Sequence, residues 1–226
     1  MKPFYKLNIP FDKDQFLAPS FKFPGFESTT YNKYINITQP DHRGVAFNSI
    51  KSNNWNFDLY KYKIPLTDFL SDRMINFLDS ISFDVTAIWI LFFNKQNPPG
   101  VIHCDWGPNR PEMRQNNYSI NWSYAADHNH SMVWYEPIDA RLTEDGWPVA
   151  ANTHQSNVVV PIFEKDAVKE IARHTIDGPT LVQTNIPHNG ENNGSDYRWI
   201  VSIKSSSTTF ANWNDTVNYF KDIIQE

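Results

Sequence analysis

Val85-Thr86-Ala87-Ile88-Trp89-Ile90-Leu91-Phe92-Phe93 decides the fold class. This near-continuous run of β-branched and aromatic residues is long enough for a buried strand. The turn Asn97-Pro98-Pro99-Gly100 follows, and Val101-Ile102-His103 resumes the apolar pattern. Toward the C-terminus, Tyr118 to Tyr124, Met132 to Tyr135, Val158 to Ile162, Thr180 to Asn185 and Arg198 to Lys204 read as further strands. Residues 164–175 fit a short helix or a strand. Several short strands broken by turns point to a sandwich or jelly roll, not to an alternating α/β fold. Toward the N-terminus there is one helix. Pro65-Leu66-Thr67 supplies a start with Thr67 as candidate N-cap, and Leu70, Met74, Phe77, Leu78 and Ile81 recur at helical spacing. Residues 1–63, punctuated by Pro10, Pro19, Pro24 and Pro40, read as an irregular flank of loops and short strands outside the core.

The composition bounds the function. A chain of 226 residues fits one domain, here 1–226, and can bury a core without staples. Aromatic residues make up 15%, which a disordered chain would not carry. The net charge of −5, with no block of Lys or Arg, argues against unspecific nucleic-acid binding. Cys104 is the only cysteine, so neither an intrachain disulfide nor a cysteine-rich metal site is available. The start Met1-Lys2-Pro3-Phe4-Tyr5-Lys6 lacks the apolar core of a signal peptide, and no apolar run approaches the roughly 20 residues of a membrane span. The expected location is therefore a reducing, cytoplasmic compartment.

His103-Cys104-Asp105 carries the first chemistry. In a strand, residues two apart point to one face, so His103 and Asp105 can aim at one point while Cys104 points away. With one further His they make a 2-His-1-carboxylate facial triad, which leaves coordination positions open and suits Fe(II). A surface His beside a solvated Asp is the plainer alternative. His188 is the third candidate ligand. It ends Thr180-Leu181-Val182-Gln183-Thr184-Asn185-Ile186-Pro187-His188 and precedes the loop-like Asn189-Gly190-Glu191-Asn192-Asn193-Gly194. Arg198 opens the next strand and shares a face with Ile200 and Ser202. An arginine on a core-facing strand needs a partner, and a bound dicarboxylate would supply one through two parallel hydrogen bonds. The alternative is an arginine at the rim, paired with Glu191 or Asp196. Tyr118 and Asn121, on a central strand, are candidate contacts for a bound ligand. Arg110 and Arg114 are candidate receivers of an anionic substrate, though a solvated loop explains them as well. His128-Asn129-His130 lies in a polar stretch that reads as a turn.

Taken in order, Ile102-His103-Cys104-Asp105, Ser119-Ile120-Asn121-Trp122, Val133-Trp134-Tyr135, Pro179-Thr180-Leu181-Val182, Pro187-His188 and Arg198-Trp199 resemble the 2-oxoglutarate/Fe(II)-dependent oxygenase superfamily. Small phage and marine-bacterial members, loosely similar to aspartyl/asparaginyl hydroxylases, are nearest in pattern. The resemblance covers about residues 85–204. It implies a mainly β double-stranded β-helix, jelly-roll or cupin-like, with that stretch as its core and a few flanking helices. It also implies Fe(II) on His103, Asp105 and His188, with 2-oxoglutarate and O₂ as cosubstrates. Arg198 matches the arginine that anchors the distal 2-oxoglutarate carboxylate. Ser202 lies four residues beyond Arg198, where some members have a serine two residues on. Animal-type aspartyl hydroxylases lack the carboxylate ligand that Asp105 provides here. The implied activity is hydroxylation of a small-molecule or peptide substrate with release of succinate and CO₂. A non-catalytic jelly-roll binding module and a cupin-like metal enzyme without 2-oxoglutarate are the alternative readings.

Overall fold

The computed structural model describes residues 1–21, 44–45, 57–60, 64–93, 102–105, 118–125, 129–138, 162–194, 198–205 and 212–225. In chain order these residues form β1 (Phe4–Lys6), β2 (Gly44–Val45), β3 (Phe57–Tyr60), β4 (Ile64–Pro65), α1 (Leu66–Phe69), α2 (Asp72–Ser80), β5 (Val85–Phe93) and β6 (Ile102–His103). They continue as β7 (Tyr118–Ala125), β8 (His130–Pro137), β9 (Ile162–Phe163), β10 (Val168–His174), β11 (Thr180–Gln183), β12 (His188–Asn192), β13 (Arg198–Ser205) and α3 (Trp213–Phe220). The molecule is mainly β, with few helices. A six-stranded sheet runs β1-β11-β7-β13-β5-β3, a five-stranded sheet runs β10-β8-β12-β6-β9, and β2 pairs with β4. Each of these pairings is antiparallel.

Side-chain alternation divides the six-stranded sheet into two chemically different faces. Tyr118, Ile120 and Trp122 of β7, Leu181 of β11, and Trp199, Val201 and Ile203 of β13 are buried in one apolar core with Met74, Leu78, Trp213 and Phe220 of the helices. This is the helix-covered face. The opposite face carries Ser119, Asn121 and Ser123 of β7, Thr180 of β11, and Arg198, Ser202 and Lys204 of β13, all buried. It turns toward the five-stranded sheet. Phe4 and Val182 from one sheet pack with Met132 and Trp134 from the other, and Phe4 stacks on Trp134 at 5.2 Å. Trp134 Nε1 donates to the Gln183 carbonyl at 2.8 Å, fixing the two layers together on that side.

The helix expected from one apolar stripe is two pieces. Thr67 lies inside α1, and the chain breaks at Leu70–Ser71 before α2. Ser71 is the cap, its side chain accepting from the Met74 N–H at 3.2 Å. The apolar spacing continues across the break because Phe69, Leu70, Met74 and Leu78 all reach the same core. Residues 164–175 settle as a single 3₁₀ turn, Lys165–Ala167, followed by strand β10. The N-terminal segment does more than cover the outside. β1 extends the six-stranded sheet by pairing with β11, and Phe16 is buried edge-on against Trp122 at 5.1 Å. The strand expected over Val158 to Ile162 falls mostly outside the described residues, of which Ile162–Phe163 forms β9. No described helix is long and apolar enough to cross a membrane.

Candidate metal centre

The polar segment after Pro187 forms a strand where a loop was expected. His188-Asn189-Gly190-Glu191-Asn192 has poor strand propensity, but β12 lies between β8 and β6 and takes its order from both neighbours. His188 is the Cα partner of His103 on β6 and of Trp134 on β8. Residues directly opposite across a ladder share a face. The two imidazoles therefore stand side by side, with ring centroids 4.7 Å apart.

Asp105 completes the cluster from just beyond β6. Its backbone N–H donates to the Thr184 carbonyl at 2.9 Å, which holds the bend in place. Its Oδ1 lies 3.4 Å from His103 Nε2 and 3.4 Å from His188 Nε2. One ligand atom from each of the three residues falls within 4.8 Å of the others, a group that can hold a metal ion. Cys104 faces the other way, fully buried among Ile102, Val133, Tyr135, Phe163 and Val168. Burial, with Asp105 beside it, pushes the Cys104 thiol well above its ordinary value, so it is a packing residue and not a ligand.

The hydrogen bonding prepares the donors for a cation. His188 Nδ1 lies 2.8 Å from the Ile186 carbonyl oxygen. A carbonyl only accepts, so Nδ1 donates and the neutral ring presents the Nε2 lone pair toward Asp105. A bare ring nitrogen facing a carboxylate oxygen places two acceptors together, and a cation between them relieves that conflict. A second partner that fixes the tautomer is the usual support of a metal-binding histidine. Burial holds the His188 imidazole below its ordinary value, against the opposing pull of Asp105. Burial also works against the Asp105 charge, but Lys204 and the two neighbouring imidazoles together outweigh it and hold the carboxyl well below its ordinary value. Both groups are thus in their metal-binding forms near neutral pH.

Lys204 is the member of this site that sequence reading did not identify. It stands two residues beyond Ser202 and so shares a face with Arg198, Ile200 and Ser202; that parity was the available signal. Its Nζ lies 2.5 Å from Asp105 Oδ2, and its side chain is 7% exposed. This contact ties the inward face of β13 to the metal-ligand cluster. Arg198 lies farther along the same face and is 1% exposed, so it is not a rim residue. Burial pushes its guanidinium down to about 9. Glu191, the rim carboxylate, pairs with Arg173. Asp196 lies outside the described residues.

The remaining candidates separate by face. Asn121 is directly opposite Ser202 on β13 and Thr180 on β11, so the three form a polar row on the face turned toward the sheet that carries His103 and His188. Ser119 Oγ, Asn121 Oδ1 and Ser123 Oγ are buried and find no hydrogen-bond partner among the described residues. Such atoms on three successive inward positions fit a polar guest. Tyr118 is corrected. It lies an odd number of residues from Asn121 and points to the opposite face, where its ring meets Phe83 and Phe220. It belongs to the helix-side core and cannot contact a ligand between the sheets. His130 also departs from expectation: it opens β8 and is not part of a turn. Arg110, Arg114 and His128 lie outside the described residues.

Comparison with protein-family models finds no match for this chain, and no curated protein matches it.

Proposed function

We propose that this chain is a 2-oxoglutarate- and Fe(II)-dependent oxygenase that hydroxylates a small-molecule or peptide substrate. One observation carries the reading: His103, Asp105 and His188 converge on one point, beneath a strand face that bears a buried arginine. A metal held only on that side keeps its opposite positions open, which suits a chelating cosubstrate and O₂.

The strand order supports a double-stranded β-helix. Let β5, β6, β7, β8, β10, β11, β12 and β13 be the first to eighth strands. One sheet then contains sixth-third-eighth-first and the other fifth-fourth-seventh-second. This order fits a jelly roll, in which consecutive strands change layer except at the hairpin between the fourth and fifth. In that scheme the metal ligands come from the second and seventh strands, and Arg198 opens the eighth.

His103, Asp105 and His188 would hold the iron. When bound, iron and 2-oxoglutarate supply the oxidising chemistry, with succinate and CO₂ as co-products. The chain supplies orientation. Arg198 receives the distal carboxylate through a planar fork, in a buried setting where such a pair is worth more than at the surface. Asn121 and Ser202 offer hydrogen bonds to the body of the cosubstrate. The apolar group of Phe4, Met132, Trp134 and Val182 closes one side of the inter-sheet space and keeps water from it.

Anaerobic titration of the Fe(II)-loaded protein with 2-oxoglutarate tests this reading. A weak visible charge-transfer band is expected, saturating at one equivalent per chain. Metal binding without the band would favour a cupin-like enzyme that does not use 2-oxoglutarate. Absence of metal binding would favour a binding module.

A further inference from the structure

Asp105 presents its two oxygens to different partners. Oδ1 faces both histidine Nε2 atoms at 3.4 Å, and Oδ2 faces Lys204 Nζ at 2.5 Å. We propose that Lys204 is a positioning residue that confines Asp105 to a single-oxygen contact with the metal. The inference rests on the reading of His103, Asp105 and His188 as a metal centre, and it adds a member that the triad itself does not require.

The physical argument begins with the carboxylate. A free aspartate at a metal can bind through one oxygen or both, and each choice occupies a different number of positions. Two-oxygen binding would consume a position that a cosubstrate or O₂ needs. A buried ammonium on Oδ2 opposes that choice, because the carboxylate would have to abandon a charge-assisted hydrogen bond to turn. Lys204 is well placed to hold firm. Its backbone lies in β13, between β5 and β7. Asp105 is bracketed in turn by the Thr184 carbonyl on its backbone N–H and by Lys204 on its side chain. A merely structural lysine would stabilise the fold without regard to which carboxylate oxygen it touched.

The test uses Mn(II) as a probe of the open positions. Water-proton relaxivity of the Mn(II)-bound protein reports the number of exchangeable waters on the ion. In an octahedral site with three protein donors, wild type should hold three. Lys204→Met should free Oδ2 to join the ion and displace one water, lowering the inner-sphere relaxivity by about one third. Mn(II) affinity should hold or rise, since a neighbouring positive charge has been removed. Lys204→Arg keeps a donor on Oδ2 and should retain the wild-type relaxivity. A melting curve checks that each variant is folded. Mn(II) bound by Lys204→Met with an undiminished water count would overturn the role of Lys204 and leave the metal centre standing. Failure of folded wild type to bind Mn(II) would remove the metal centre and the proposal with it.

Discussion

Asp105→Ala is expected to abolish 2-oxoglutarate turnover and to weaken divalent-metal binding by roughly 100-fold or more. Loss of a supporting residue around a metal ligand typically costs about 10- to 100-fold, and Asp105 is itself a candidate ligand. The only charged donor in the cluster would be gone, leaving two neutral imidazoles on adjacent strands. The substitution also removes a carboxylate from beside the buried Lys204 ammonium. Asp105 is partly exposed, so this should cost up to about 3 kcal/mol of stability. Pairing Asp105→Ala with Lys204→Met separates the two effects. The double variant should regain stability but not metal affinity. Cys104→Ala is the neighbouring control: it should keep metal affinity and cost about 1 kcal/mol through the small cavity left among Ile102, Val133 and Tyr135. Calorimetric metal titration and succinate assay measure both consequences. Wild-type metal affinity in Asp105→Ala would remove Asp105 from the ligand set.

Arg198→Lys should lower 2-oxoglutarate affinity by about 10- to 150-fold, although the charge is conserved. An ammonium cannot reproduce two parallel hydrogen bonds to a carboxylate, and a charged hydrogen bond in a buried site is worth roughly 1.5–3 kcal/mol. Metal content should not change, because Arg198 is not among the candidate ligands. Calorimetry of 2-oxoglutarate binding with Mn(II) present and O₂ excluded measures the difference. A rim arginine would have predicted a loss under about 1 kcal/mol. The burial of Arg198 favours the larger figure. Unchanged affinity would separate Arg198 from cosubstrate binding and leave the metal centre untouched.

What was legible in the sequence followed period and parity. Val85–Phe93 emerged as a strand with the bounds its composition indicated, and Arg198 to Lys204 extended by a single residue. His103 and Asp105 were placed together because two-residue spacing is a geometric property of extended chain. What was illegible depended on neighbours. Nothing in His188-Asn189-Gly190-Glu191-Asn192 signals a strand, since its order comes from the strands on either side. Tyr118 and Asn121 share one strand, but their odd spacing sets them on opposite faces, so only one of them can face the other sheet. Lys204 had the right parity, but a lysine ending a strand ordinarily reaches solvent, and only the tertiary fold brings Asp105 within its reach.

The placement of the two histidines bears on how the protein would acquire a metal. His103 and His188 are opposite one another in neighbouring strands of one sheet, so the ladder hydrogen bonds hold them in register. Their spacing does not depend on an ion drawing them together. Folding and metallation would therefore be separable events, unlike in small domains whose only scaffold is the metal. A chelator should strip the site and leave the sheets intact, and reloading should be rapid. The cost is weak discrimination: a preformed pair of imidazoles and a carboxylate accepts Ni(II), Cu(II) or Zn(II) at least as tightly as Fe(II). Which ion occupied such a site would then be governed by the metal supply around the protein, and occupancy by iron would be a property of the cell as much as of the chain.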